Sequence, residues 1–150
     1  MNRFLNAEIK NEHGAVLSSL IREFRGEGFI WSFGDFLEVY RDNEALELYD
    51  MLSADEALSA LPEKYYTVFA TVFAYPPATA GEPQAIKTYN DFLKSGCRMI
   101  VDINDCCFVR AFSDDERLLL RVLDALKPCL EREDAWSIEE IPDPDDRILG

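Results

Sequence analysis

The chain has 150 residues, of which 48% are apolar and 29% charged, and its formal net charge is −14. Such a length and balance suit one ordinary buried core and exclude a disordered or collagen-like chain. The acidity opposes tracking along a nucleic-acid backbone, and no apolar run approaches the ~20 residues that a membrane span needs.

Arg3 to Lys10 reads as a first strand. Val16, Leu17, Leu20, Ile21 and Phe24 then fall at helical spacing, which predicts a helix from Glu12 to Arg25 with Asn11 as its N-cap and Gly26 at its C-cap. Phe29 to Phe33 and Phe36 to Arg41 are aromatic and β-branched, so they read as a hairpin turning at Gly34-Asp35. From Glu44 to Leu52 two readings compete. Ala45, Leu48, Tyr49 and Leu52 share a helical face, whereas Leu46 and Leu48 alternate as in a strand. Ser53 and Glu56 have the spacing of a capping box, predicting a short helix that ends before Pro62.

Tyr65 to Tyr75 is the longest β-prone run and is apolar on both faces, as a covered central strand should be. Pro83 suits the first turn of a helix that carries Ile86, Tyr89 and Leu93 and closes at Lys94-Ser95-Gly96. Cys97 to Ile103 and Cys106 to Phe112 read as a hairpin turning at Asn104-Asp105, with Ile103 opposite Cys106 and Asp102 opposite Cys107. Ser113 and Glu116 form a second capping-box pattern, before a helix through Leu119, Val122, Leu123 and Leu126 that stops at Pro128. Its exposed ridge should hold Arg117, Arg121 and Asp124. A last strand is expected near Ala135 to Ile141, then a turn or frayed tail through Asp145 and Asp146. This order predicts an α+β fold: a mainly antiparallel or mixed sheet with about four helices packed on it, in one pair of layers, as one domain over residues 1–150.

The N-terminal segment shows no apolar signal core, and none of the cysteines (Cys97, Cys106, Cys107, Cys129) is spaced C-x-x-C. The expected compartment is the cytoplasm and the expected thiols are buried and free. As strand neighbours, Cys106 and Cys107 would point to opposite faces and could not readily serve one metal. The single histidine, His13, reads as a residue at the start of the first helix.

Tyr89-Asn90-Asp91-Phe92-Leu93-Lys94-Ser95-Gly96-Cys97, with the two-strand unit after it, resembles a small uncharacterised bacterial domain family seen mostly in Bacillus-like organisms. Ile9-Lys10-Asn11-Glu12-His13-Gly14 is similar too. The resemblance implies a bacterial, stand-alone domain and assigns no residue a role.

No phosphate-cradling glycine loop, G-x-S-x-G or H-E-x-x-H pattern is present, so no catalytic residue, cofactor or metal is expected. Asp102-Ile103-Asn104-Asp105 reads as a β-turn, lacking the glycine and distal glutamate of a calcium loop. Arg98 and Arg110 suggest an anion pocket less strongly than they suggest separate acidic partners.

The main electrostatic feature is local. Asp42 to Glu63 holds seven acids and no base, and Glu131 to Gly150 holds eight acids against Arg132 and Arg147. The rest of the chain is nearly neutral. The leading expectation is therefore a protein-binding module, such as an immunity protein or an inhibitor, that meets a basic partner through Asp42, Glu44, Glu47 and Asp50, with the C-terminal acids as a second contribution. The alternatives are a small-ligand binder or enzyme with a pocket lined by Trp31, Tyr40 or Tyr66, and a homodimer that pairs an exposed strand edge.

Overall fold

The computed structural model describes residues 2–10, 16–34, 37–48, 51–79 and 85–149. Its strands are β1 (Arg3–Glu8), β2 (Ile30–Phe33), β3 (Glu38–Arg41), β4 (Glu44–Ala45), β5 (Leu52–Ser53), β6 (Tyr66–Tyr75), β7 (Met99–Asn104), β8 (Phe108–Phe112) and β9 (Trp136–Glu140). Its helices are α1 (Val16–Glu23), α2 (Ala54–Ala60), α3 (Tyr89–Ser95) and α4 (Glu116–Leu126). The described strands form one nine-stranded sheet in the order β4-β3-β6-β7-β8-β1-β9, with β2 also on β6 and β5 on β2. Every strand pairing is antiparallel, so the fold is α+β.

β6 decides the layout. A strand of ten residues spans roughly 33 Å, longer than either neighbour on its outer edge. β2 and β3 therefore do not pair with each other as a hairpin. They lie end to end along that edge, β2 on Val72–Tyr75 and β3 on Tyr66–Phe69. Gly34 continues the line instead of turning it: its N–H donates to the Thr71 carbonyl at 2.8 Å. A Cβ at this position would stand 3.3 Å from the Thr71 Cβ, so the glycine permits close approach to β6.

Between Glu38 and Val39 the partner shifts from Phe69 to Thr67, skipping Val68. This bulge moves Tyr65 and Thr67 onto the same buried side as Ala70, Val72 and Ala74. There Tyr65 reaches α1: its hydroxyl accepts from the Ser18 N–H at 2.8 Å and lies 3.0 Å from the Ser18 hydroxyl. It thus supplies an acceptor to an amide in the first described turn of the helix.

The β7–β8 hairpin differs from the predicted register by three residues. Asp102 pairs with Arg110 and Ile103 with Val109. The turn runs from Asn104 to Cys107, with Asp105 and Cys106 at φ of 50° and 68° and the Cys107 N–H donating to the Asn104 carbonyl at 3.2 Å. An odd shift reverses which faces meet. The observed register puts Val101, Ile103, Val109 and Ala111 together under the helices. Cys106 and Cys107 are consequently turn residues, not strand neighbours.

One sheet face packs on α1, α2 and α4 through Leu5, Leu20, Ile21, Trp31, Val101, Leu119 and Val122 among others. The other face is covered in part by α3 and the segment Ile141–Leu149: Tyr89, Phe92, Ile141, Ile148 and Leu149 cluster with Tyr75, Ile100 and Phe112.

Local signals placed several ends as expected and others not. The Ser53–Glu56 capping box is complete, with bonds of 3.0 and 3.1 Å. α1 ends in a 3-10 turn whose left-handed closing residue is Gly28, at φ 68°, rather than Gly26. α3 starts at a Thr88–Asp91 capping box, and Ala85 to Lys87 are not helical; Pro83 lies outside the described residues. α4 is capped by Asp115, while the Ser113 hydroxyl donates to the Arg98 carbonyl at 2.8 Å. Arg121 leaves the predicted exposed ridge and lies over the Phe24 ring at 4.5 Å, bonded to Glu27 at 2.7 Å. The stretch after Arg41 is not a helix. β4 extends by a Leu46 N–H to Val39 carbonyl bond of 2.7 Å, and Leu46 and Leu48 pack on the core on either side of exposed Glu47.

Candidate functional site

The acidic edge is built on a tight hairpin. Asp42 and Asn43 adopt φ of 50° and 68° between Arg41 and Glu44, which pair directly. Two successive left-handed residues match the twist of a two-residue hairpin, and Asp and Asn tolerate them best after glycine. Val39, fully buried, anchors one arm; Leu46 and Leu48 anchor the chain beyond the other. Asp42, Glu44 and Glu47 are exposed, and Asp50 lies outside the described residues.

Among the described residues, no Lys or Arg stands within 4 Å of the Asp42, Glu44 or Glu47 carboxylates. Glu38, exposed on β3, adds a further carboxylate to the same element. It lies just before the acidic run in sequence, and only the β3 pairing brings it there. Arg41 is the basic residue on this hairpin.

The remaining acids of the first segment are partly engaged. Asp55 pairs with Arg25 at 2.7 Å, both side chains being largely exposed. Glu56 accepts the Ser53 N–H, and that bond, with the Ser53 hydroxyl, lowers its pKa below the usual glutamate value. In the C-terminal segment Glu139 accepts from Asn6 and Ser137, each at 3.1 Å, Asp134 stands 3.6 Å from Arg132, and Asp145 accepts from Asn90.

The acids of β4 and those of β9 do not form one surface. β4 and β9 are the opposite ends of the sheet, six strand spacings apart. At ~4.8 Å per spacing the separation is roughly 30 Å, against a screening length of ~8 Å at physiological salt. Each edge therefore presents its own field.

The arginines considered for an anion pocket take separate acidic partners. Arg110 bonds Asp102 at 2.7 Å, and Arg98 lies 3.9 Å from Asp115. Asp102, 7% exposed, also accepts from Thr71 at 2.9 Å and Asn104 at 2.8 Å. Arg110 donates onward to the Ile148 carbonyl at 3.0 Å, which ties the C-terminal segment to the sheet.

Trp31 is buried on the helix side, whereas the Tyr66 hydroxyl lies 2.7 Å from the Cys106 Sγ on the other side of the sheet. Trp31, Tyr40 and Tyr66 therefore do not line one cleft. A depression of about 210 Å³ sits elsewhere, bounded by Arg3, Ser113, Asp114, Glu116 and Leu119. All four cysteines are free; Cys97 is buried and the other three are half-buried. Burial pushes the Cys97 thiol up to about 12. Among the described residues no group of three or more His, Cys, Asp or Glu side chains gathers as metal ligands, and His13 lies outside them. Nor is any described helix long and apolar enough to cross a membrane.

A family model described as a protein of unknown function (DUF2691) matches residues 2–146. The chain belongs to this family. The match runs well beyond the two segments that carry the resemblance noted from the sequence. No curated protein and no solved structure matches the chain.

Proposed function

We propose that this DUF2691 chain is a single-domain, cytoplasmic, bacterial protein-binding module that meets a basic partner at its β3–β4 edge, in the manner of an immunity protein or inhibitor. Asp42, Glu44, Glu47 and Asp50 would supply the steering charge, with Glu38 beside them. The observation that carries this reading is the hairpin itself: three exposed carboxylates, anchored by buried Val39, with no described base within 4 Å of any of them. Unpaired surface charge held on a rigid element accelerates encounter with an opposite charge, and salt screens the effect.

The test is capture of basic proteins from a cell lysate at low and high salt. The wild type is compared with a variant carrying Asp42→Asn, Glu44→Gln, Glu47→Gln and Asp50→Asn. Wild type should retain a basic protein at low salt and release it at high salt, and the variant should not retain it. Equal retention by both proteins refutes the assignment of the site.

A further inference from the structure

The far edge of the sheet has the means to bind a partner by main-chain pairing. Among the described residues, β9 pairs with β1 and with no other strand. Its ends fix which backbone groups that pairing uses: the Ala135 carbonyl accepts from the Glu8 N–H at 3.0 Å, and the Ile141 N–H donates to the Asn2 carbonyl at 2.9 Å. Hydrogen-bonded and non-bonded pairs alternate along an antiparallel ladder. Ser137 and Glu139 therefore turn their N–H and carbonyl groups toward β1, as do the Ala135 carbonyl and the Ile141 N–H, while the Ala135 N–H donates to the Arg132 carbonyl at 3.0 Å. Trp136, Ile138 and Glu140 turn theirs outward, to an edge where Ser137, Glu139 and Glu140 are exposed and the Trp136 side chain is 40% exposed.

An open strand edge of this kind pairs with any extended chain unless something selects the partner. Here charge selects. Glu131, Glu133, Asp134, Glu139 and Glu140 lie on or just before β9, with Arg132 as the one base of that stretch. Arg3, opposite Glu140, is already bonded to Glu116 at 3.1 Å. A second copy, itself carrying −14, is repelled.

We infer that β9 accepts an extended segment of a basic protein as an added strand, with Lys or Arg opposite Glu139 and Glu140 and an apolar residue opposite Ile138. Backbone bonds would supply attachment and the two glutamates would supply preference, the division of labour general to strand addition. This surface is distinct from the β3–β4 edge, and neither reading depends on the other.

The probe is a capped peptide, Lys-Lys-Val-Thr-Val-Thr, at millimolar concentration, read by amide hydrogen exchange and amide NMR shifts of the full chain. Exchange at Trp136, Ile138 and Glu140 should slow by about threefold or more. The same peptide N-methylated at its first, third and fifth residues keeps its charge but cannot donate toward β9, and should have no effect. Glu140→Pro removes an outward N–H while leaving the bonds to β1, and should abolish the response. Glu140→Gln should weaken it. The variant neutralised at Asp42, Glu44, Glu47 and Asp50 should respond as wild type does. Unchanged exchange at the three amides, an equal response to the N-methylated peptide, or a β9-paired dimer in sedimentation would each overturn the inference.

Discussion

Replacing Arg110 by methionine probes how the second sheet face is held together. The substitution keeps most of the side-chain length and removes the guanidinium. It deletes the 2.7 Å bond to Asp102, the 3.0 Å bond to the Ile148 carbonyl and the cation 5.6 Å above the Phe112 ring. Asp102 is then a carboxylate only 7% exposed, with Thr71 and Asn104 as its remaining donors. Stranding one member of a fully buried pair costs ~3–5 kcal/mol. The Arg110 side chain is 35% exposed, so water screens part of that interaction, and the two neutral donors stay. The expected loss is about 2–3 kcal/mol, or a fall of roughly 5–10 °C in Tm for a chain of this size. Asp102→Asn combined with Arg110→Met removes both charges and should recover at least ~1 kcal/mol relative to the sum of the single variants. Urea unfolding of the four proteins measures this cycle. A loss below ~1 kcal/mol for Arg110→Met, or strict additivity, refutes the view that the pair is coupled through its buried carboxylate.

Tyr65→Phe should cost ~1–3 kcal/mol in urea unfolding, because it leaves the Ser18 amide buried without its acceptor. The native protein should alkylate at Cys106, Cys107 and Cys129 well before Cys97, whose burial raises its pKa to about 12; mass spectrometry of timed iodoacetamide reactions checks the order. Burial raises the pKa of Tyr65 and Tyr89 above their ordinary value of 10.0. Their contribution to stability is therefore whole below that value and is lost as pH rises through the folded pKa, so Tm should fall above pH ~10. On the acid side, the Ser53 amide bond lowers Glu56, the Lys87 and Thr88 amides lower Asp91, and the Arg117 side chain lowers Asp115. Their contribution is complete above the ordinary carboxylate pKa of ~4 and fades as pH falls below it toward the lowered folded values, a decline that Glu56→Gln, which removes the titrating group, should make shallower.

Much of the secondary structure was legible in the sequence because it rests on local rules. The helical spacing of Val16 to Phe24, the capping box at Ser53, the β-branched run at Tyr66 to Tyr75 and the concentration of acids after Arg41 all follow from residues a few positions apart. The Asp42-Asn43 turn and the Thr88-Asp91 cap are also written locally, but the helical spacing of Ala45, Leu48, Tyr49 and Leu52 and the Pro83 signal compete with them. What the sequence could not decide was which strand lies beside which. The length of β6, not the Gly34-Asp35 pair, sets β2 and β3 end to end. Packing under α1, α2 and α4, not turn length, sets the β7–β8 register and brings Arg110 to Asp102. The same long-range pairing carries the acids of β4 and those of β9 to opposite edges of the sheet, where screening separates their fields. Charge and periodicity are properties of neighbours along the chain, whereas register and edge position emerge only when distant apolar faces are buried together.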